Sequence, residues 1–297
     1  MNKLKNRRDK IIVSFCNMSK SRESGLVSYD FANSVVEWLD MGFQGGVKSC
    51  TGLWREGDNI YSLFMSEGVF YVSVINAKTL LYVFCQPLEE VKDGHSICVL
   101  GRHLYVVSTG TDEVLRYELK GDGLKGAEVF WKASDENQDT HHLNSVLPVN
   151  GDICVTGFGP KDGTLWRTAT HGYIYNITSD RFVKRDIYHP HTLVEFGGRL
   201  YYCESSTQVF CSVDGLVKFS LDGYTRGICF LDNKTVAVGT SVGRKSSKST
   251  GIVYNPADPG DKAGSCAISV HSLVSDECLK VDMSEYTAEI YDICRLR

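Results

Sequence analysis

No stretch of this sequence is apolar for long enough to cross a bilayer, which takes about 18 residues or more, so no membrane partner is expected. A basic block is missing too. Lys and Arg number 32 against 36 Asp and Glu, for a formal net charge of -4, and without a positive stripe nucleic acid is excluded as the main partner. The chain has no CxxC pair, and its 11 cysteines are odd in number and mostly embedded in apolar runs such as Ile97-Cys98-Val99 and Ile228-Cys229-Phe230. They read as reduced core thiols of a cytoplasmic protein and not as a disulfide framework. A P-loop and an HExxH helix are lacking, and the strings GTSVG (239–243) and GDGLKG (121–126) open no helical periodicity, as a nucleophile elbow and a dinucleotide fingerprint would, which removes the common hydrolase, kinase and Rossmann readings.

What is present is a chain of 297 residues, 42% hydrophobic and 23% charged, able to bury a sizeable core. Lys3, Lys5, Arg7, Arg8 and Lys10 precede Ile11-Ile12-Val13 like the flank of a signal peptide, but the run turns polar at Ser14. Residues 1–9 are therefore expected to be a flexible leader before a first strand. Short apolar alternations rich in Val, Ile, Tyr and Phe, separated by Gly, Asp, Asn and Ser turns, fill the rest, among them NIYSLFM from Asn59 and GVFYVSVI from Gly68. Helical periodicity is nearly absent, so the fold is all-β.

The alternations repeat as groups of four strands. One group begins at His95 (SICVLG, RHLYVVST, DEVLRYEL, AEVFWKA), the next at His142, and others at His191, at Arg226 and near Cys50-Thr51. In the Arg226 group, TGIVYNP is taken as the third strand and Cys266 to Leu273 as the last. Such repetition is the mark of a β-propeller. The ends complement each other: Glu289 to Leu296 reads as a first strand with nothing after it, while Lys10 to Cys16, Gly25 to Phe31 and Val35 to Asp40 read as second, third and fourth strands. Joined, they make a sixth blade and leave no open edge. The expectation is one domain over 1–297, a six-bladed β-propeller of four-stranded antiparallel blades closed by the C-terminal strand, with residues 243–261 as a rim loop.

The segments HLNSVLPVNGDICVTGFG, HPHTLVEFGGRLYYCESS, TRGICFLDNKTVAVGTS followed by Arg244, and EIYDICRL together resemble an uncharacterised family of bacterial six-bladed propellers, a domain of unknown function sometimes joined to tetratricopeptide repeats. The resemblance runs from roughly Asp93 to the C-terminus. It implies the propeller and carries no reaction with it.

Propeller function concentrates at the mouth of the central channel, where the first strands converge. The repeat alignment puts Thr51, His95, His142, His191, Arg226 and Glu289 there, one from each blade. Three imidazoles suit a divalent transition metal, Zn, Fe, Mn or Ni, so His95, His142 and His191 are the candidate ligands. Glu289 would complete the shell or act as a base, and Arg226 would take part in catalysis and clamp a substrate anion. Asn144 and Tyr291 are further candidate substrate contacts, and Asp292 a candidate supporter of a histidine. A one-residue slip would substitute His141 for His142 or His189 for His191. The same polar groups would equally serve to hydrogen-bond strand ends and buried water.

Two function classes follow. One is a metal-dependent lyase, hydrolase or isomerase acting on a small anionic, hydroxylated substrate such as a sugar acid or sugar phosphate. The other is a non-catalytic propeller that presents a face to a protein or glycan partner.

Overall fold

The computed structural model describes residue 4 and residues 7–296, apart from 122, 162, 164 and 245–263. The N-terminal part supplies β1 (Lys10–Phe15), β2 (Leu26–Asp30) and β3 (Val35–Trp38). Blade 1 follows as β4 (Ser49–Glu56), β5 (Asn59–Ser66), β6 (Val69–Asn76) and β7 (Tyr82–Leu88), and blade 2 as β8 (Gly94–Leu100), β9 (His103–Ser108), β10 (Glu113–Lys120) and β11 (Gly123–Lys132). Blade 3 holds β12 (Leu143–Val149), β13 (Asp152–Gly157), β14 (Gly172–Asn176) and β15 (Arg181–Ile187). Blade 4 holds β16 (Pro190–Phe196), β17 (Arg199–Glu204), β18 (Val209–Ser212) and β19 (Lys218–Ser220). Blade 5 holds β20 (Tyr224–Asp232), β21 (Thr235–Ser241), β22 (Ala267–Ser272) and β23 (Cys278–Asp282), and β24 (Ile290–Arg295) ends the chain.

Each group is an antiparallel four-stranded sheet, and the sixth sheet runs β24-β1-β2-β3. The innermost strands β4, β8, β12, β16, β20 and β24 pack on one another in succession, and β24 returns to β4 to close the ring. Burial follows position in the blade. β1 and β2 are covered on both faces by neighbouring blades and read as near-continuous apolar runs, whereas the outer strands β3 and β15 are largely exposed. All 11 cysteines are free, most of them buried between sheets, as their apolar surroundings in the sequence suggest.

Blade 5 departs from the expected strand order. The segment 266–273 forms the third strand, β22, and Cys278–Asp282 the fourth; TGIVYNP and the expected rim loop beyond Arg244 lie outside the described residues. The leader also differs where it is described. Leu4 is buried, and Arg7 bridges Asp9 and Asp232 and donates to the Thr235 hydroxyl, so this end is docked on blades 5 and 6.

Every innermost ladder carries a register shift of the kind a β-bulge makes. Pairing resumes at Leu53, Ile97, Ser145, Val194, Ile228 and Asp292. Counted back from those residues, Thr51, His95 and Arg226 occupy one ring position, while His142, His191 and Glu289 stand one residue further out. The six aligned residues are therefore not strictly equivalent.

Side chains next to these shifts tie the blades together. Asp292 Oδ2 accepts the Leu53 N–H at 2.9 Å, Ser96 Oγ that of Val146 at 3.3 Å, Ser145 Oγ that of Leu193 at 3.2 Å and Thr192 Oγ1 that of Gly227 at 2.9 Å. Approach is close enough to demand glycine. A Cβ on Gly52 would lie 2.6 Å from Ser96 Cα, and one on Gly227, at φ +70°, 2.8 Å from the Ile293 nitrogen. Gly227→Ala is expected to cost about 1–3 kcal/mol or more, from backbone strain plus that collision. Urea unfolding against wild type checks it, and an unchanged midpoint would contradict the close packing.

Candidate functional site

The channel holds two cavities separated by Tyr291, which lines both. The lower one, about 260 Å³, is largely apolar. Trp54 lines it and packs against the cores between blades 1 and 2, 2 and 3, and 3 and 4. Asp292 faces this cavity, not the upper one, and burial pushes its carboxyl up to about 7, against the opposing hydrogen bonds from the Leu53 and Ile293 N–H groups. A folded value above the ordinary one of about 3.9 means stability is greatest below pH 4 and is lost as pH rises through 7. Asp292→Asn removes this dependence, so the stability of the variant relative to wild type is expected to increase between pH 5 and pH 8. A pH-independent difference in urea unfolding would refute it.

The upper cavity, about 400 Å³, lies at the mouth where strands β4, β8 and β20 begin and β24 approaches. Thr51, His95, His142, Arg226, Glu289 and Tyr291 all line it. His191 does not. That imidazole is 1% exposed, its Nδ1 contacts the His189 carbonyl at 3.1 Å and Ser205 Oγ at 2.8 Å, and its ring packs on Phe158 and Tyr224. Burial holds it well below its ordinary pKa, so it is a neutral, hydrogen-bonded structural residue. His189 takes the place in the cavity wall, while His141 lies outside it and contacts the Tyr173 hydroxyl. Asn144 likewise lines the lower cavity and not the upper one. It is buried beneath, where it accepts the Tyr291 hydroxyl at 3.4 Å and turns its amide NH₂ to His95 Nδ1 at 3.2 Å.

These bonds fix the histidine tautomers. His95 accepts at Nδ1, so its proton is on Nε2, directed to Asp93 at 3.5 Å. His189 donates from Nε2 to the Trp166 carbonyl at 2.9 Å, and burial lowers its pKa to about 4. His142 is arranged the other way. Its Nδ1 stands 3.0 and 3.2 Å from the Asp139 oxygens, and Asp139 is itself held by Trp166 Nε1 at 3.1 Å. The proton is then on Nδ1, and Nε2 keeps a lone pair with no partner among the described residues. His142 is the one cavity-lining imidazole whose free nitrogen is an acceptor among those described.

Glu289 ends a second network. Arg244 grips it with both Nε and Nη2, at 3.0 and 2.6 Å, while Arg226 Nη1 at 3.3 Å, Asn17 Nδ2 at 3.2 Å and Cys16 Sγ at 3.5 Å all donate to Oε2. Burial would raise its pKa; the charge and hydrogen bonds of Arg244, then the charge of Arg226, outweigh that and hold it down to about 2. A carboxylate so occupied is no base, and its role is to position the two guanidiniums. The Arg226 guanidinium lies 4.9 Å from the Tyr224 ring and 5.2 Å from that of Tyr291. Cys16 touches the same group, and burial first, then Glu289, pushes its thiol up to about 12, far from nucleophilic.

The residues do not fit the expected metal set. His191 is turned away, both ring nitrogens of His95 are engaged, and His142 spends Nδ1 on Asp139. Among the described residues no group of three or more His, Cys, Asp or Glu side chains is arranged to hold a metal ion, and no step below is routed through one. Asp139, Asp93, Arg244 and Trp166 were missed from sequence. The acidic residues leave a trace, standing three and two positions before His142 and His95; Arg244 and Trp166 leave none.

The family described as Domain of unknown function (DUF4915) matches residues 128–297. No curated protein matches the chain. Among solved structures, a protein of unknown function from Bacteroides caccae is 9% identical with a TM-score of 0.64, covering 98% of this chain and 100% of its own. A periplasmic gluconolactonase, PpgL, from Pseudomonas aeruginosa is 13% identical with a TM-score of 0.59, covering 97% and 99%. A chain of a nidogen/laminin complex is 11% identical with a TM-score of 0.61, covering 97% and 98%. At these identities the likeness is one of fold. No helix among the described residues is long and apolar enough to cross a membrane.

Proposed function

Because this chain belongs to the DUF4915 family, whose domain has no known function, its chemistry rests on the cavity, and we propose that it is a hydrolase opening an ester or lactone bond in a small hydroxylated molecule. The Asp139–His142 pair carries the reading. Asp139 holds the imidazole by Nδ1, so Nε2 takes a proton from water as the water oxygen attacks the acyl carbon. The tetrahedral oxyanion collapses with cleavage of the acyl C–O bond, and His142 returns the proton to the departing alkoxide. A lactone gives a hydroxy acid, and an open-chain ester gives an acid and an alcohol.

Size and wall chemistry support a sugar-like substrate. A volume of about 400 Å³ lies in the small-molecule range, and Phe158, Trp166, Tyr224 and Tyr291 offer flat faces for the C–H side of a ring. That a fold relative is a gluconolactonase agrees with this class. The test is a panel of aldonolactones, neutral and acidic, followed by proton release. Opening of at least one is expected well above the buffer rate; a rate equal to buffer across the panel would favour the binding-propeller alternative.

A further inference from the structure

Two guanidiniums in the upper cavity share one carboxylate. Glu289 neutralises Arg244 through a two-point grip, and what it gives Arg226 is a single contact at 3.3 Å. The Arg226 side chain is 8% exposed, yet its Nε has no hydrogen-bond partner among the described residues. Cys16, Asn17, Tyr224 and Tyr291 around it bring no negative charge. Among the described residues this corner therefore holds an excess positive charge out of water, which is costly unless something pairs with it. At the other end Asp93 and Asp139 place negative charge beside His95 and His142. Arg167 also lines the cavity, but the carboxylates beside His95 and His142 disfavour an anion there, so a ligand negative at one end is best placed with its charge at Arg226 and its neutral end at His142.

We infer that the corner of Arg226, Arg244 and Asn17 seats a compact oxyanion, a carboxylate or phosphate carried by the substrate away from the bond that breaks. Arg226 is the residue that reads this group, and Glu289 braces it. The inference rests on the cavity being a substrate site and names the substrate class as anionic. Tyr224 and Tyr291, stacked on the guanidinium, hold its plane in place.

The test is calorimetric titration of the protein with inorganic phosphate and, separately, acetate, on wild type, Arg226→Met, Arg226→Lys and His142→Gln. One probe at least is expected to saturate wild type at one site and bind His142→Gln equally well. Arg226→Met should weaken it about tenfold or more, the scale of a lost charged hydrogen bond, with Arg226→Lys between. Phosphate binding alone marks a phosphate seat and acetate binding alone a carboxylate seat. Saturation of neither probe, or equal affinity in Arg226→Met, overturns the inference. Should Arg226→Met fail to melt cooperatively, Arg226→Lys decides in the same way. Because no turnover is measured, anion binding without lactone opening would retire the hydrolase and leave the seat standing.

Discussion

Asp139→Asn is expected to lower kcat for lactone opening by about 10²–10⁴-fold, with KM and melting temperature nearly unchanged. The reason is the tautomer. An amide at 139 can turn an N–H toward His142 Nδ1, now 3.0 Å from a carboxylate oxygen, which places the ring proton on Nε2 and removes the lone pair that takes a proton from water. His142→Gln should lose as much, and the double variant little more, since residues acting as one unit are not additive. A merely structural Asp139 would instead lower stability and leave the pH–rate profile unmoved. That outcome, with kcat retained, would exclude the pair from the chemistry.

Ending the chain at Ala288 is expected to abolish cooperative folding. The deletion takes Ile290, Ile293 and Leu296, all buried, and each such loss costs about 2–5 kcal/mol against a typical total of 5–15 kcal/mol. It also strips β1 of one of its two partners, removes the Asp292 tie to Leu53 and leaves Arg226 and Arg244 without their carboxylate. Near-ultraviolet circular dichroism and thermal melting read the result. A cooperative melt within a few degrees of wild type would show that ring closure is dispensable.

The propeller was legible because its causes are local. Val, Ile and Tyr alternations set the strands, glycine turns set their lengths, and the missing first strand at one end matched the surplus strand at the other. Register at the channel was not legible, because each innermost strand shifts pairing at a bulge and the residues there carry no common signature. His142 entered the site and His191 did not, although the repeat treats them alike; what separates them is the bonding of His191 Nδ1 to the His189 carbonyl and Ser205, a matter of tertiary packing. Glu289 illustrates the same limit. Its residue type fits a base, and only the meeting of Arg226 and Arg244, 63 and 45 residues away in the chain, shows that both oxygens are spent.

The central claim is that His142 activates water in the upper cavity. It is tested most directly by proton release from the lactone panel with wild type and His142→Gln side by side at equal concentration and matched melting temperature. The account predicts at least one lactone opened by wild type about 100-fold or more faster than by His142→Gln. Equal rates for the two proteins on every lactone that wild type opens would contradict it.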